Sequence, residues 1–263
     1  MFELYKHEVK MYIKTLIIWV LCAGGMGMVC ILLFSSVKDS MSGMAESFAS
    51  MGAFSDAFGM TQLSIATLQG FYATEVGMVH SLGGAMFAAI ISCVMLSKEE
   101  DAHTSEFLFS LPVSRNKVIT SKLGAVITHI VIYNLVCVIV YVMGIVILGE
   151  EMPIKEYCIF HIMQLVMHIE IGVICFGISA FMKRNRMGIG LGIVLFLYAY
   201  DLMARVIPDL SDFKVISPFS YANAADIFST GEVDMTALMI GIIVMVVSAI
   251  TAYRVYSKRD LAT

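Results

Sequence analysis

Charge is what this chain has least of. Of its 263 residues, 14% are charged and 59% hydrophobic, whereas a soluble domain carries about a quarter charged residues. That shortage excludes an ordinary water-soluble domain and indicates a polytopic membrane protein with the lipid bilayer as solvent. No G-x-x-x-x-G-K-[ST] sequence occurs, so the chain carries no phosphate loop with which to bind ATP itself. H-E-x-x-H is missing too, and neither Glu99-Glu100 nor Glu150-Glu151 is followed by the Arg expected of a membrane prenyl-protease, which leaves enzymatic readings without support. The six cysteines (Cys22, Cys30, Cys93, Cys137, Cys158, Cys175) form no C-x-x-C pair and keep no ligand spacing, so no disulfide framework and no metal site is expected. Neither a 20-to-50-residue repeat nor a low-complexity tract occurs. The apolar run after residue 14 lacks a small-residue cleavage site, against a removable signal peptide. Nucleic acid is not an expected partner.

What is present is apolar sequence in runs near the length of about 20 residues that a helix needs to cross a bilayer. Six such spans are expected, at about 15–36, 78–97, 123–148, 158–182, 187–206 and 236–256, in one all-α transmembrane domain. Between the fourth and fifth lies Lys183-Arg184-Asn185-Arg186, a tight basic turn. Placing it in the cytoplasm puts 13 lysines and arginines on that side and leaves Lys38, Lys155, Arg205 and Lys214 on the other, a firm positive-inside bias. Both termini are then cytoplasmic. Residues 1–14 mix apolar residues with Lys6, Lys10 and Lys14 and read either as a helix lying along the inner membrane surface or as the positive flank of the first span. The segment 206–235, with Pro208 and Pro218, reads as an outer or re-entrant loop. LGGAMFAA (82–89) and GIGLG (188–192) offer small residues for close helix packing.

The polar stretch 98–122 is too patterned for a slack linker. Glu99, Glu100 and Asp101 are followed by the apolar patch Phe107, Leu108, Phe109 and Leu111, then Pro112, then Arg115, Lys117 and Lys122. A short amphipathic helix with charges of both signs suits a groove on a partner protein. The order E-E-x-x-x-x-x-E-F-L-F-S-L-P-V-S-R-x-K-V-x-x-S-K resembles the first cytoplasmic loop of the ABC-2 type exporter permeases, and the ending with Tyr256, Arg259 and Asp260 resembles the close of that family. His103 departs from the pattern, standing where the family often has Gly.

The resemblance implies a coupling helix that docks on a separate ATPase, with Glu99, Glu100, Glu106, Phe107, Phe109, Pro112 and Arg115 as the coupling residues. Phe107 and Phe109 would be the anchors, and Glu99 and Arg115 rim charges worth about 1 kcal/mol or less each. It further implies two cytoplasmic ATP-binding cassette subunits that bind ATP and Mg, a second permease chain in a homodimer or heterodimer, a bacterial plasma membrane, and export of an apolar or amphipathic peptide, lipid or antibiotic.

The fourth span carries His161, Gln164, His168 and Glu170, and ionisable groups at mid-membrane are costly. The first three share a helical face, while Glu170 points elsewhere. A structural pairing of Glu170 and a substrate-contacting or relay role both stand at this point. Asp201 and Arg205, four apart, are placed to pair along the fifth span. The rival readings are an ion- or proton-coupled secondary transporter centred on Glu170, which lacks the broken helices and inverted halves such proteins often show, and a membrane sensor or scaffold that transports nothing.

Overall fold

The computed structural model of the protein describes residues 2–110 and 112–259, Phe109 by its backbone alone. Leu111 and Asp260, both within the motifs above, lie outside the described residues. Among the described residues every regular element is helical. Six helices are long and apolar enough to cross a bilayer: α1 (Phe2–Ala49), α3 (Leu68–Cys93), α6 (Arg115–Leu148), α7 (Ile154–Ser179), α8 (Met187–Val206) and α10 (Met235–Lys258). Shorter pieces join them, namely α2 (Ala53–Ala57), α4 (Lys98–Asp101), α5 (Ser105–Ser110), a 3₁₀ stretch over Pro208–Ile216 and α9 (Ala224–Thr230).

The spans start and stop at caps, and so differ from the apolar runs. Ser114, two residues after Pro112, caps α6 by accepting from the Lys117 amide, and Gly149 closes it with φ 74°. The tail of the expected 98–122 loop is therefore the first two turns of a 34-residue helix. At 1.5 Å per residue such a helix is about 50 Å long, well beyond a hydrocarbon layer of about 30 Å. Asp234 caps α10 by accepting from Thr236 and Ala237. Only the fifth span, 187–206, keeps the bounds expected from composition.

The centre of the bundle is α3 against α7. In each, 61% of the most apolar window is buried inside the chain, against 17% for α10 and 22% for α8. Small residues make this possible. Gly83 lies against Ala23 of α1, Gly84 against the His168 ring of α7 and Gly77 against Ala224 of α9, while Ala89 of α3 lies against Gly190 of α8. Of GIGLG, Gly190 alone serves this purpose, since Gly188 and Gly192 have open space where a Cβ would sit. Large apolar residues such as Leu135, Ile139, Phe196, Ile243 and Val247 cover the outward faces and stay exposed within the chain, as expected of side chains that meet lipid or a second subunit.

Helices α1 and α6 run parallel. From Gly24 beside Cys137 to the Lys38–Glu150 ion pair they advance in step. Nearer the N-terminus they do not: between Val9 opposite His129 and Gly24 opposite Cys137, α1 advances 15 residues and α6 eight. Residues 2–14 are thus helical, continuous with the first span, and cross α6 obliquely. A π-helical turn over Val20–Gly24 separates the two regimes, a feature that often marks functional sites. A second π-turn, Tyr72–Val76, lies in α3.

Helices α7 and α10 also run parallel, with Glu170 against Gly241 and Gly177 against Ser248. This register sets the start of α10 level with Gln164, ten residues into α7. The segment leading to it divides in two: Pro208–Ile216 has no buried residue, whereas most of 217–228 is buried.

The Gly84 contact yields a direct test. A Cβ at Gly84 would lie 2.2 Å from the His168 ring, and such overpacking costs about 1–3 kcal/mol. Gly84→Ala should lower the thermal stability of the purified protein, while Gly192→Ala, with nothing within 4 Å, should leave it unchanged or slightly raised.

Candidate functional site

At the end of the bundle where both termini lie, α4 and α5 are laid across the helix ends. The short α4 ends because His103 adopts φ 54° while the Thr104 amide turns back to the Glu99 carbonyl at 2.8 Å. A positive φ is uncommon for a residue with a side chain and free for glycine. His103 therefore stands at a backbone position where glycine would carry no strain.

From this turn α5 projects outward. Phe107 is 74% exposed, Glu106 and Pro112 are exposed, and Ser105 and Leu108 face inward. Of Phe109 only the backbone position within α5 is described. Beside Phe107 and Leu108 runs an open groove of about 600 Å³, walled on its other side by Leu4, Met11 and Tyr12 of α1.

Asp101 and Glu106 are exposed, whereas Lys98, Glu99 and Glu100 pair with residues of the chain's own helices. Lys98 pairs with Glu8, and its ammonium also lies 5.1 Å from the Tyr12 ring centroid. Lys122, with no solvent exposure, pairs with Glu99, lies 3.4 Å from Glu8 and donates to the Met95 carbonyl at 2.7 Å. Glu100, also buried, pairs with Arg259, which donates to the Ala180 carbonyl at 2.6 Å. Three carboxylates thus meet three cations drawn from α1, α4, α6 and the residue after α10. Burial and the neighbouring Lys122 ammonium push Lys98 below the ordinary lysine value, against the opposing pull of Glu8 and Glu99.

Glu99 and Arg115, for which the sequence suggests a rim role, both have partners within the chain. Glu99 is bound to a buried lysine inside the chain, and Arg115 donates to the carbonyls of Tyr256 and Ser257 at the end of α10. Charges of both signs flanking an amphipathic segment look the same in sequence whether they face a partner or their own helices.

Within the bundle, His161, Gln164 and His168 do share a face, and the structure adds His80. The His80 ring lies 5.1 Å from that of His161 and 5.4 Å from that of His168. His161 pairs with the Tyr72 hydroxyl at 2.8 Å, and His168 with Asn134 at 3.0 Å and the Ser81 carbonyl at 3.2 Å. Gln164 donates to the Ala222 carbonyl at 2.7 Å. Tyr133 and Tyr141 complete the cluster. Among the described residues no group of His, Cys, Asp or Glu has the arrangement to hold a metal ion. Glu170 stands apart, accepting from the Tyr221 hydroxyl at 2.7 Å and filling the notch left by Gly241. His80 meets the same criterion as the span-four residues, an ionisable group inside an apolar run, but nothing in the sequence pairs it with a helix 80 residues away. Glu8 and Lys98 carried no signal beyond their charge.

Six helices long and apolar enough to cross a bilayer, with a short exposed helix at the charged end, define a multi-pass membrane protein. A family model for the ABC-2 family transporter proteins matches residues 2–261, and the chain belongs to this family. Comparison with curated proteins gives no match. Membership makes the chain a multi-pass membrane component of a transporter that works with ATP-binding cassette subunits.

Glu8 is the carboxylate shared by two buried ammonium groups, and stripping a buried ion pair of one partner costs about 3–5 kcal/mol. Glu8→Gln should lower the unfolding temperature of the purified protein, whereas Glu3→Gln, on an exposed residue of the same helix, should not. Equal behaviour of the two variants would remove Glu8 from any role in holding this end together.

Proposed function

We propose that this chain is the permease subunit of an ATP-binding cassette exporter, docked through α5 to cytoplasmic ATPase subunits that bind ATP and Mg. The observation that carries the reading is Phe107: a large aromatic side chain, 74% exposed, on a short helix held to the bundle by the ion pairs of the preceding Lys98, Glu99 and Glu100. Aromatic anchors of this kind dominate the energy of protein interfaces.

On this reading α5 is the surface on which the ATPase pushes, and the ion pairs of Lys98, Glu99 and Glu100 pass the displacement to α1, α6 and the end of α10. Two permease chains, identical or different, would form the path between them. The oblique course of residues 2–14 supports a helix lying near the inner membrane surface, and the buried 217–228 segment supports a re-entrant outer loop. The basic turn at 183–186 supports cytoplasmic termini, and a bacterial plasma membrane is carried over from the family resemblance alone. An apolar or amphipathic substrate such as a peptide, lipid or antibiotic suits the apolar interior. A secondary transporter centred on Glu170 has less support, because that carboxylate is closed off by Tyr221 and Gly241.

Phe107→Asp should cost on the order of a few kcal/mol of docking and leave less ATPase recovered with the permease, while its own thermal stability stays that of the unaltered chain. Full recovery of the ATPase would make α5 a mere connector. Orientation is tested separately: in a background without the exposed Cys22 and Cys158, Asn185→Cys should react only with reagent supplied from the cytoplasm, and Ser229→Cys only from outside. The reverse pattern would invert the topology.

A further inference from the structure

The turn joining α7 to α8 is tied to its neighbours by backbone carbonyls and by Asn185, and its cations take no part in this. The Ala180 carbonyl accepts from Arg259 at 2.6 Å, the Arg186 carbonyl from the Cys93 thiol of α3 at 3.7 Å, and Asn185 Oδ1 from the Ser97 hydroxyl at 3.2 Å. Lys183, Arg184 and Arg186 are exposed and, among the described residues, none of the three forms an ion pair. Glu100, which Arg259 brings toward this turn, is buried and paired with that guanidinium.

Beside the three cations lies an open cavity of about 340 Å³ whose other walls are Phe181, Met182 and Ile189. Phe181 and Ile189 are exposed, as is Met187. Phe181 follows the end of α7 at Ser179, and Met187 and Ile189 belong to the first turn of α8. Both helices are long and apolar enough to cross a bilayer, so these apolar side chains stand where the two spans leave the hydrocarbon and the cations stand at headgroup level. The start of α8 adds to the positive field, since no side chain caps it and its first turn holds no acidic residue.

We propose that this turn is a binding site for an anionic phospholipid, with the phosphodiester held by Lys183, Arg184 and Arg186 and the acyl chains laid against Phe181 and Ile189. Basic pockets at the ends of membrane helices recognise anionic headgroups through the same charges. A free inorganic anion matches the charge but leaves the apolar flanks without a partner. The cavity is also large for it, since one water takes up about 10–15 Å³ of such space. The site does not depend on the docking of an ATPase at α5 or on the side of the membrane that the turn faces.

Native mass spectrometry of the full chain in a neutral detergent counts bound lipid directly, with phosphatidylglycerol and phosphatidylcholine of the same acyl chains titrated in turn. A basic residue near an anionic surface favours binding by about fivefold, so the first phosphatidylglycerol should bind more tightly than the first phosphatidylcholine by about tenfold or more. Lys183→Gln, Arg184→Gln and Arg186→Gln combined should remove that preference. Lys6→Gln, Lys10→Gln and Lys14→Gln combined, which take the same charge from exposed positions of α1, should keep it. Arg184→Gln alone, expected to weaken phosphatidylglycerol by about fivefold, decides the matter if the triple variant fails to fold. Equal binding of the two lipids, a preference that survives the substitutions in the turn, or displacement of phosphatidylglycerol by equimolar inorganic phosphate would overturn the site. So would a turn variant that changes only the amount of ATPase recovered, which would assign the cations to a partner protein.

Discussion

Charge that cannot reach water must find charge inside the chain, and the architecture at the termini follows from that constraint. Lys122 is fully enclosed and sits where α6 passes α3 and the N-terminal part of α1. Glu99 neutralises it directly, with Glu8 3.4 Å away. Glu8 then holds Lys98, and Glu100 holds Arg259. Each pair joins segments distant in sequence, so satisfying one charge fixes the mutual position of four helices. Glu99 Oε2, Glu100 Oε2 and Arg259 Nε are left without partners among the described residues. Ion pairs so incompletely hydrogen-bonded repay little of their desolvation cost. Their consequence is one geometry for this end of the bundle, more than a gain in stability.

The middle of the bundle is held by different means. Small residues on α3 let four other elements approach its backbone, and the space left is filled by histidine and tyrosine rings that pair with one another across α3, α6 and α7. This interior is polar and only partly satisfied: His80 Nε2, His161 Nδ1, Gln164 Oε1 and the hydroxyls of Tyr133 and Tyr157 have no hydrogen-bond partner among the described residues. Movement is easier to place at the π-turns Val20–Gly24 and Tyr72–Val76, where the helical hydrogen-bond ladder changes register. The first of these separates the part of α1 tied into the charged end from the part that runs in step with α6.

Much of this was legible in the sequence. Six spans, their order, the amphipathic segment between the second and third, and the separation of Glu170 from His161, Gln164 and His168 all follow from hydropathy and helical periodicity, which are local properties. Asp201 and Arg205 pair as their spacing predicts, at 2.9 Å. Span limits were less legible, because Ser114 and Asp234 start helices several residues before or at the edge of the apolar run. The inward turn of Glu99, Glu100 and Arg115 was not legible at all. Their partners lie up to 159 residues away, and a charged residue near an amphipathic helix gives no sign of which side it faces. His103 shows the converse: the departure from Gly was visible, but its cost became clear only from the backbone angle.

The central claim is that α4 and α5 are fastened to the helix ends by ion pairs within the chain. The most direct measurement is a double-mutant cycle on unfolding free energy with Glu100→Gln, Arg259→Gln and the double variant, all on the purified protein. A buried pair predicts that each single change destabilises strongly and that the double falls short of their sum by about 1.5 kcal/mol or more. Additivity within about 0.5 kcal/mol would contradict the claim, since Glu100 would then face a partner or solvent and α5 would have no fixed hold on the membrane helices.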